Sequence, residues 1–135
     1  MPRFEIFPDA EAVVGAAIRN ASISGLGTRV YSSIPRSPVY PLVLVRRVGG
    51  FPAVRQALDR ASIQIEAWGD TKATAQRIAQ EARVAVLLLE GTIVHTPVDA
   101  AITGVSDATG MFFSEDDVTD IDRYIFGMNV WLRKA

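Results

Sequence analysis

The sequence predicts an α+β domain in which a mostly antiparallel sheet of about five strands carries two helices on one face. One long segment has apolar residues at the three-and-four spacing of a helix that packs on a sheet. Several shorter segments alternate with period two, as half-buried strands do. The segments follow the order helix, three strands, helix, two strands, and strands adjacent in sequence favour hairpin-like antiparallel pairs.

The composition is typical of a single globular domain spanning residues 1–135. Hydrophobic residues make up 49% and charged residues 21% of the chain, close to globular averages. A net charge of -1 gives no bulk attraction to nucleic acid or to an anionic membrane, so we expect no sequence-specific nucleic acid binding and no membrane partner. The longest apolar run, residues 84–89, is far shorter than the roughly 18 residues that span a bilayer. Glu5, Asp9 and Glu11 interrupt the N-terminal segment, so we expect a soluble chain that is not exported.

The N-terminal segment predicts a helix followed by a strand. Pro8 suits a first helical position, and Asp9 and Glu11 fall in the first turn, where carboxylates are favourable. We therefore expect a helix over residues 8–21. Residues 28–34, TRVYSSI, are rich in residues that favour strands and predict a short one.

The next segments predict a strand, a loop and another strand. Residues 40–48, YPLVLVRRV, are apolar on both sides for part of their length, as in a central strand. Residues 49–61 begin with two glycines and a proline, which predicts a loop with a helical turn. Residues 62–69, SIQIEAWG, alternate with period two. We expect Ile63, Ile65 and Ala67 to point inward, and Gln64, Glu66 and Trp68 to point outward.

Residues 71–89 predict a long helix. Asp70 or Thr71 supplies its N-cap, and Gly91 ends it. Small side chains dominate its apolar stripe, so the helix can approach the sheet closely. The stripe consists of Ala75, Ile78, Ala79, Ala82, Ala85, Val86 and Leu89.

The C-terminal third predicts two further strands joined by an acidic turn. Residues 100–113, AAITGVSDATGMFF, indicate a strand interrupted near Gly104 and again at DATG. The acidic turn SEDDVTD follows, and a terminal strand begins at residue 122. We expect one face of that strand to lie on the helices: Tyr124, Phe126, Met128, Val130 and Leu132.

The outer face of the predicted sheet carries both tryptophans, Trp68 and Trp131. Exposed aromatic residues beside arginines, here Arg123 and Arg133, are typical of protein interfaces. We therefore predict that this face contacts a neighbouring subunit or another protein. The alternative is that a long loop such as residues 91–99 folds over the tryptophans.

A second contact is predicted from charge. Arg46 and Arg47 belong to the only basic concentration in the chain, and the turn over residues 115–122 is acidic. These arginines would face Asp116 and Asp117 of a neighbouring copy, and pairs at an interface rim would guide register more than affinity. The spacing of the acidic residues does not match a calcium-binding loop, so we interpret this turn as solvated.

The sequence contains no recognisable catalytic, cofactor or metal motif. The absence of cysteine excludes disulfides, thiol catalysis and cysteine-ligated metals. His95 is the only histidine, no G-x-S-x-G elbow is present, and the glycines match no phosphate-binding loop or dinucleotide fingerprint. We therefore expect a protein that is not an enzyme and binds no cofactor.

Three segments together resemble the tail terminator and tail completion proteins of long-tailed bacteriophages. They are SPVYPLVLVRRVGG, ASIQIEAWGDTKATAQRIAQEARVAVL and DRYIFGMNVWLRKA. In that family the matching patterns are a P-x-V-x-V strand, an x-V-x-V-x-x-W/Y strand with an A-x-x-I-A-x-x-V helix, and a final R-Y-x-x-x-V-x-V-x-x-R strand. The resemblance covers roughly residues 8 to 134 and brings no catalytic motif with it.

The resemblance implies a structural virion protein without cofactors. Such a protein would form a ring, usually hexameric, on the head-proximal end of the tail tube, and would stop tube polymerisation. Its partners would be copies of itself, the tail tube protein and the head–tail connector or neck proteins, first in the host cytoplasm and then in the virion. A phage neck or head-closure protein, a small-molecule-binding two-layer α/β regulatory domain and a small enzyme are the alternatives.

Overall fold

The structure is a computed structural model that describes residues 6–55, 57–116 and 118–135. Two helices and six strands follow one another along the chain. In order they are α1 (Ala10–Asn20), β1 (Val30–Tyr31), β2 (Leu42–Val54), β3 (Leu58–Gly69), α2 (Lys72–Leu87), β4 (Ile93–Val94), β5 (Ala100–Phe113) and β6 (Asp122–Lys134). The class is α+β, as predicted.

The sheet has six strands in the order β1-β2-β3-β6-β5-β4. The prediction of about five strands in a mostly antiparallel sheet was wrong in number and in type, since the sheet has six strands and is mixed. β1 runs parallel to β2, because residues 32–41 return the chain to the end of the sheet where β1 began. The sixth strand is β4, which lies in a segment that the sequence analysis treated as a loop.

Both helices begin at a capping side chain. Asp9 Oδ1 accepts hydrogen bonds from the backbone N–H of Glu11 at 3.0 Å and of Ala12 at 3.2 Å, so Pro8 precedes α1 rather than opening it. Thr71 Oγ1 accepts a bond at 3.1 Å from the backbone of the first turn of α2. A side-chain oxygen at this position satisfies an N–H that has no partner within the helix. The predicted alanine-rich stripe of α2 is buried throughout.

Residues 49–54 and 58–61 belong to the two strands of a β-hairpin, and the prediction of a loop with a helical turn over residues 49–61 was wrong. The β2–β3 pairing runs from Leu42 opposite Trp68 to Val54 opposite Leu58, with two register shifts. Gly50 has a φ of +87°, and a Cβ at this position would lie 2.1 Å from the carbonyl oxygen of Arg60. The glycine and proline therefore mark irregular strand pairing at a sheet edge, where both are tolerated.

The main core lies between the helices and one face of the sheet. Phe126, Met128, Val130 and Leu132 are buried there and Tyr124 packs partly against them, so the predicted facing of the terminal strand is confirmed. The inward residues of β3 join the same core. Gly69 lets α2 start close to the sheet, since a Cβ there would lie 2.8 Å from the backbone nitrogen of Ala75.

The predicted interruptions of residues 100–113 are register shifts within one continuous strand. β5 loses register with β6 between Ile102 and Gly104, between Asp107 and Thr109, and again before Phe112. Each shift bends the strand locally, and the sheet as a whole is curled.

Candidate interaction surface

Trp68 lies in a small second core on the outer face of the sheet. Its side chain is 3% exposed and clusters with Leu42 and Leu44. The ring of Tyr40 stacks on it with centroids 6.2 Å apart, and Ile121 packs against the cluster. The expectation of an exposed Trp68 was therefore wrong. A fold-over does occur, but residues near 40 and 121 provide it rather than residues 91–99.

Arg123 closes this second core by holding a buried carboxylate. Glu66 is 3% exposed, and Arg123 Nη1 donates a hydrogen bond to its Oε1 at 3.1 Å. Arg123 Nε donates another to the carbonyl oxygen of Ser114 at 3.2 Å, and the guanidinium lies 5.0 Å from the Trp68 ring centroid. A buried charge is tolerated only when it is paired. Arg123 thus serves the interior of its own chain, and its predicted interface role remains a prediction.

Trp131 lies in a separate row of side chains that crosses the outer face. Its register partners are Arg60 on β3 and Gly104 on β5, and Phe51 on β2 stands opposite Arg60. Residues opposite one another share a face of the sheet. Trp131 is half-buried, and a Cβ on Gly104 would lie 3.4 Å from its ring. We call Phe51, Arg60 and Trp131 the Trp131 row.

The two predicted tryptophans are far apart. Trp68 pairs with Arg123, and eight residues of β6 separate Arg123 from Trp131, which at 3.3–3.4 Å per residue is roughly 27 Å. The surface neighbours of Trp131 are instead Phe51 and Arg60, which the sequence analysis missed because they lie in the segment interpreted as a loop. In the sequence, only the length of that segment indicated that it could form a hairpin.

The Trp131 row combines exposed apolar surface with an unsatisfied polar atom. Phe51 is 71% exposed. The Nε of Arg60 is buried without a hydrogen-bond partner among the residues that the structure describes. Aromatic and arginine side chains at neighbouring positions are a composition that protein interfaces favour. The row is the strongest candidate contact surface on the outer face.

The remaining predicted contact residues differ in how far they are already paired within their own chain. Arg47 donates bonds of 2.6 and 3.0 Å to both oxygens of Asp59, which is 2% exposed, and this pairing raises the pKa of Arg47. Arg46 lies 3.8 Å from Glu66 and keeps nearly half of its side chain in solvent. Arg133 is exposed near the end of β6.

The acidic turn has its own internal bonds. Asp116 Oδ2 accepts hydrogen bonds from the hydroxyl of Thr119 at 2.6 Å and from its backbone N–H at 2.9 Å, and the hydroxyl bond lowers the pKa of Asp116. Asp117 lies outside the described residues. A contact of this turn with Arg46 and Arg47 of a neighbour stays a prediction, although Arg47 would first have to leave Asp59.

The lone histidine and the acidic side chains on the described part of the chain form no candidate metal site. His95 is 82% exposed, and its Nδ1 lies 3.4 Å from Asp99. No three histidine, aspartate or glutamate side chains among residues 6–55, 57–116 and 118–135 are placed to hold a metal ion. Within those same ranges, neither helix has the length and apolarity needed to cross a membrane.

The fold is shared with a chain of a gene transfer agent virion. A chain in the virion of a native gene transfer agent particle aligns with a TM-score of 0.55 and 19% identity, over 92% of this chain and 87% of that one. The bacteriophage SPP1 gp17 protein aligns with a TM-score of 0.42 and 14% identity, over 93% and 91%. The sequence matches no protein-family model and no curated protein.

Proposed function

We propose that this chain is a structural virion protein that caps the head-proximal end of a phage tail tube as a ring. The cap ends tube polymerisation and forms the joint to the head connector. The observation that supports this proposal is the fold shared, over nearly the whole chain, with a component of a gene transfer agent virion. The resemblance of three segments to tail terminator and tail completion proteins points the same way.

The proposed partners follow from this role. The chain assembles with copies of itself into a ring, for which we expect six subunits, and binds the tail tube protein on one side and connector or neck proteins on the other. It works by binding alone, without catalysis or a cofactor. It passes from the host cytoplasm, where tails are built, into the virion.

The Trp131 row is the proposed contact with a neighbouring subunit or with the tube. Covering Phe51 and the open side of Trp131 would remove apolar surface from water, at roughly 25 cal/mol per Å². Arg60 also suits such a contact better than lysine would, because its planar guanidinium can pair with acceptors and lie along aromatic surfaces. Trp68, by contrast, contributes to the stability of the subunit.

The two tryptophans give a matched pair of variants for testing this assignment. Trp131→Ala should leave the fold intact by circular dichroism and melting temperature. If the row joins subunits, the native mass spectrum should shift from a six-fold ring to monomers; if the row binds the tube, the ring should persist but fail to cap tails. Trp68→Ala should instead destabilise the subunit by about 3–5 kcal/mol, because a large buried side chain is removed. A folded Trp131→Ala protein that still forms rings and caps tails at normal length would refute the contact.

The native mass spectrum of the unmodified protein separates a ring-forming virion protein from a regulatory domain. A ring of the unmodified protein agrees with a cap, and with a neck or head-closure protein. If the unmodified protein is a monomer or a dimer, both when free and when mixed with tail tubes, the result would favour a regulatory domain.

A further inference from the structure

We propose that neighbouring subunits join by seating an apolar ridge on β2 of one copy in a groove at the C-terminal ends of the two helices of the next. The ridge consists of Val48, Phe51 and Val54. The groove, called here the C-terminal groove, lies between α1, α2 and β4. This inference rests on the proposed ring, and it names the two surfaces that would close it.

The ridge is apolar, protruding and uncovered in the single chain. All nine residues of β2 from Arg46 to Val54 are exposed, and β1 pairs only with Val43 and Leu44 of this strand. Val48, Phe51 and Val54 are 60%, 71% and 53% exposed. Phe51 also belongs to the Trp131 row, so the ridge continues the candidate surface to the edge of the sheet.

The C-terminal groove is apolar and recessed. It encloses about 450 Å³, and small side chains on both helices, including Ala17 and Ala85, make its floor. Leu88 and Ile93 form its rim and are 72% and 57% exposed. A second recess of about 430 Å³ adjoins it through Leu88 and adds the half-exposed Val84. Exposed apolar area of this kind marks an interaction site.

The charges of the two surfaces are complementary. Residues 46–60 contain four arginines and one aspartate. The C-terminal ends of both helices border the groove, and the aligned peptide dipoles give such ends a partial negative charge. Arg19 offsets this charge in the last turn of α1, whereas the last turn of α2 contains no basic residue. An apolar partner flanked by cations therefore fits the α2 side of this groove, and the ridge of a second copy, with the arginines beside it, is such a partner.

The positions of the ridge and the groove suit a head-to-tail ring. The ridge lies on the outer face of the sheet, whereas the groove lies on the helix side, so the two surfaces are different parts of the subunit that face different directions. A closed ring larger than a dimer needs two different complementary patches of this kind on each copy.

Direct strand pairing between copies is hindered at both sheet edges. Glu11 accepts a hydrogen bond of 2.7 Å from the backbone N–H of Arg47 on β2. Glu90 accepts one of 3.2 Å from the N–H of Val105 on β5. Blocked edges of this kind discourage a further strand from adding. The proposed contact accordingly uses side chains.

The chain contains no cysteine, so single cysteines can be introduced to trap the contact. We expect an equimolar mixture of the Phe51→Cys and Leu88→Cys proteins to give a disulfide-linked heterodimer under mild oxidation. Each protein alone should give at least tenfold less homodimer, because two ridges or two grooves do not meet. Val39→Cys, at 59% exposure on a loop outside both surfaces, replaces Phe51→Cys in the control mixture.

The disulfide accumulates even when association is weak, so the trap does not require a stable ring. Ile93→Cys serves as a second groove position, since a disulfide needs Cα atoms within about 7 Å. If neither groove cysteine links to Phe51→Cys above the control, the inference is wrong, whatever the native mass spectrum of the unmodified protein shows. A six-fold ring without the link would leave the proposed function intact and remove only this contact.

Discussion

Phe126→Ala tests the assignment of the two faces of β6, because Phe126 is the largest of the fully buried side chains. Removing such a phenylalanine costs about 3–5 kcal/mol, from the lost transfer free energy and from the cavity that remains. Unfolding entropy of about 2.1 cal/mol/K per residue gives about 0.28 kcal/mol/K for 135 residues, so the melting temperature should fall by about 11–18 °C. Thermal unfolding followed by circular dichroism measures this shift.

Phe112→Ala is the matched control on the neighbouring strand. Phe112 stands opposite Ile125 on the outer face and is 47% exposed. Full burial of a phenylalanine contributes about 1.5–3 kcal/mol to stability. Phe112 is half-exposed, so Phe112→Ala should cost about half of that, and it leaves no closed cavity. If Phe126→Ala lowers the melting temperature no more than Phe112→Ala does, the facing of the terminal strand is wrong.

Three further predictions follow from paired charges and from the lone histidine. Arg47→Ala leaves buried Asp59 unpaired and should cost about 3 kcal/mol by urea denaturation, the low end for a buried pair because Arg47 is 33% exposed. The bidentate hydrogen bond from Arg83 lowers the pKa of Asp107 in the folded state. The pair therefore stabilises the fold above the pKa of Asp107 in the unfolded chain, near about 4, and this stabilisation is lost as pH falls through the folded-state pKa. In an NMR titration, Arg83→Ala should raise the pKa of Asp107, and an unchanged value would contradict the pairing. His95→Ala should leave tail assembly intact, and loss of assembly by a folded variant would point to a role for the imidazole.

Local signals in the sequence predicted the elements that depend on local chemistry. Two signals specify α2: the helical spacing of the stripe from Ala75 to Leu89 and the capping hydroxyl of Thr71. Each depends only on residues that are close together in the sequence. Alternation likewise identified the buried face of β6. The glycine at position 104 and the sequence DATG marked real irregularities in β5, although they are bulges rather than breaks.

The outer face was harder to predict because its environment comes from distant parts of the chain. Trp68 is covered by Tyr40 and Ile121, which are 28 residues before and 53 residues after it, and no periodicity reports such a contact. The glycines and the proline near residue 50 are common to loops and to bulged edge strands. The β2–β3 hairpin was therefore missed, and with it Phe51, the residue that connects the Trp131 row to the ridge.

Electron microscopy of tails made without this protein tests the proposed cap most directly. Tails should be purified from a strain in which its gene is disrupted, with a strain complemented by the unmodified gene as control. The account predicts tubes of uncontrolled length that carry no ring at the head-proximal end and are not joined to heads. Tails of normal, uniform length attached to filled heads would contradict it.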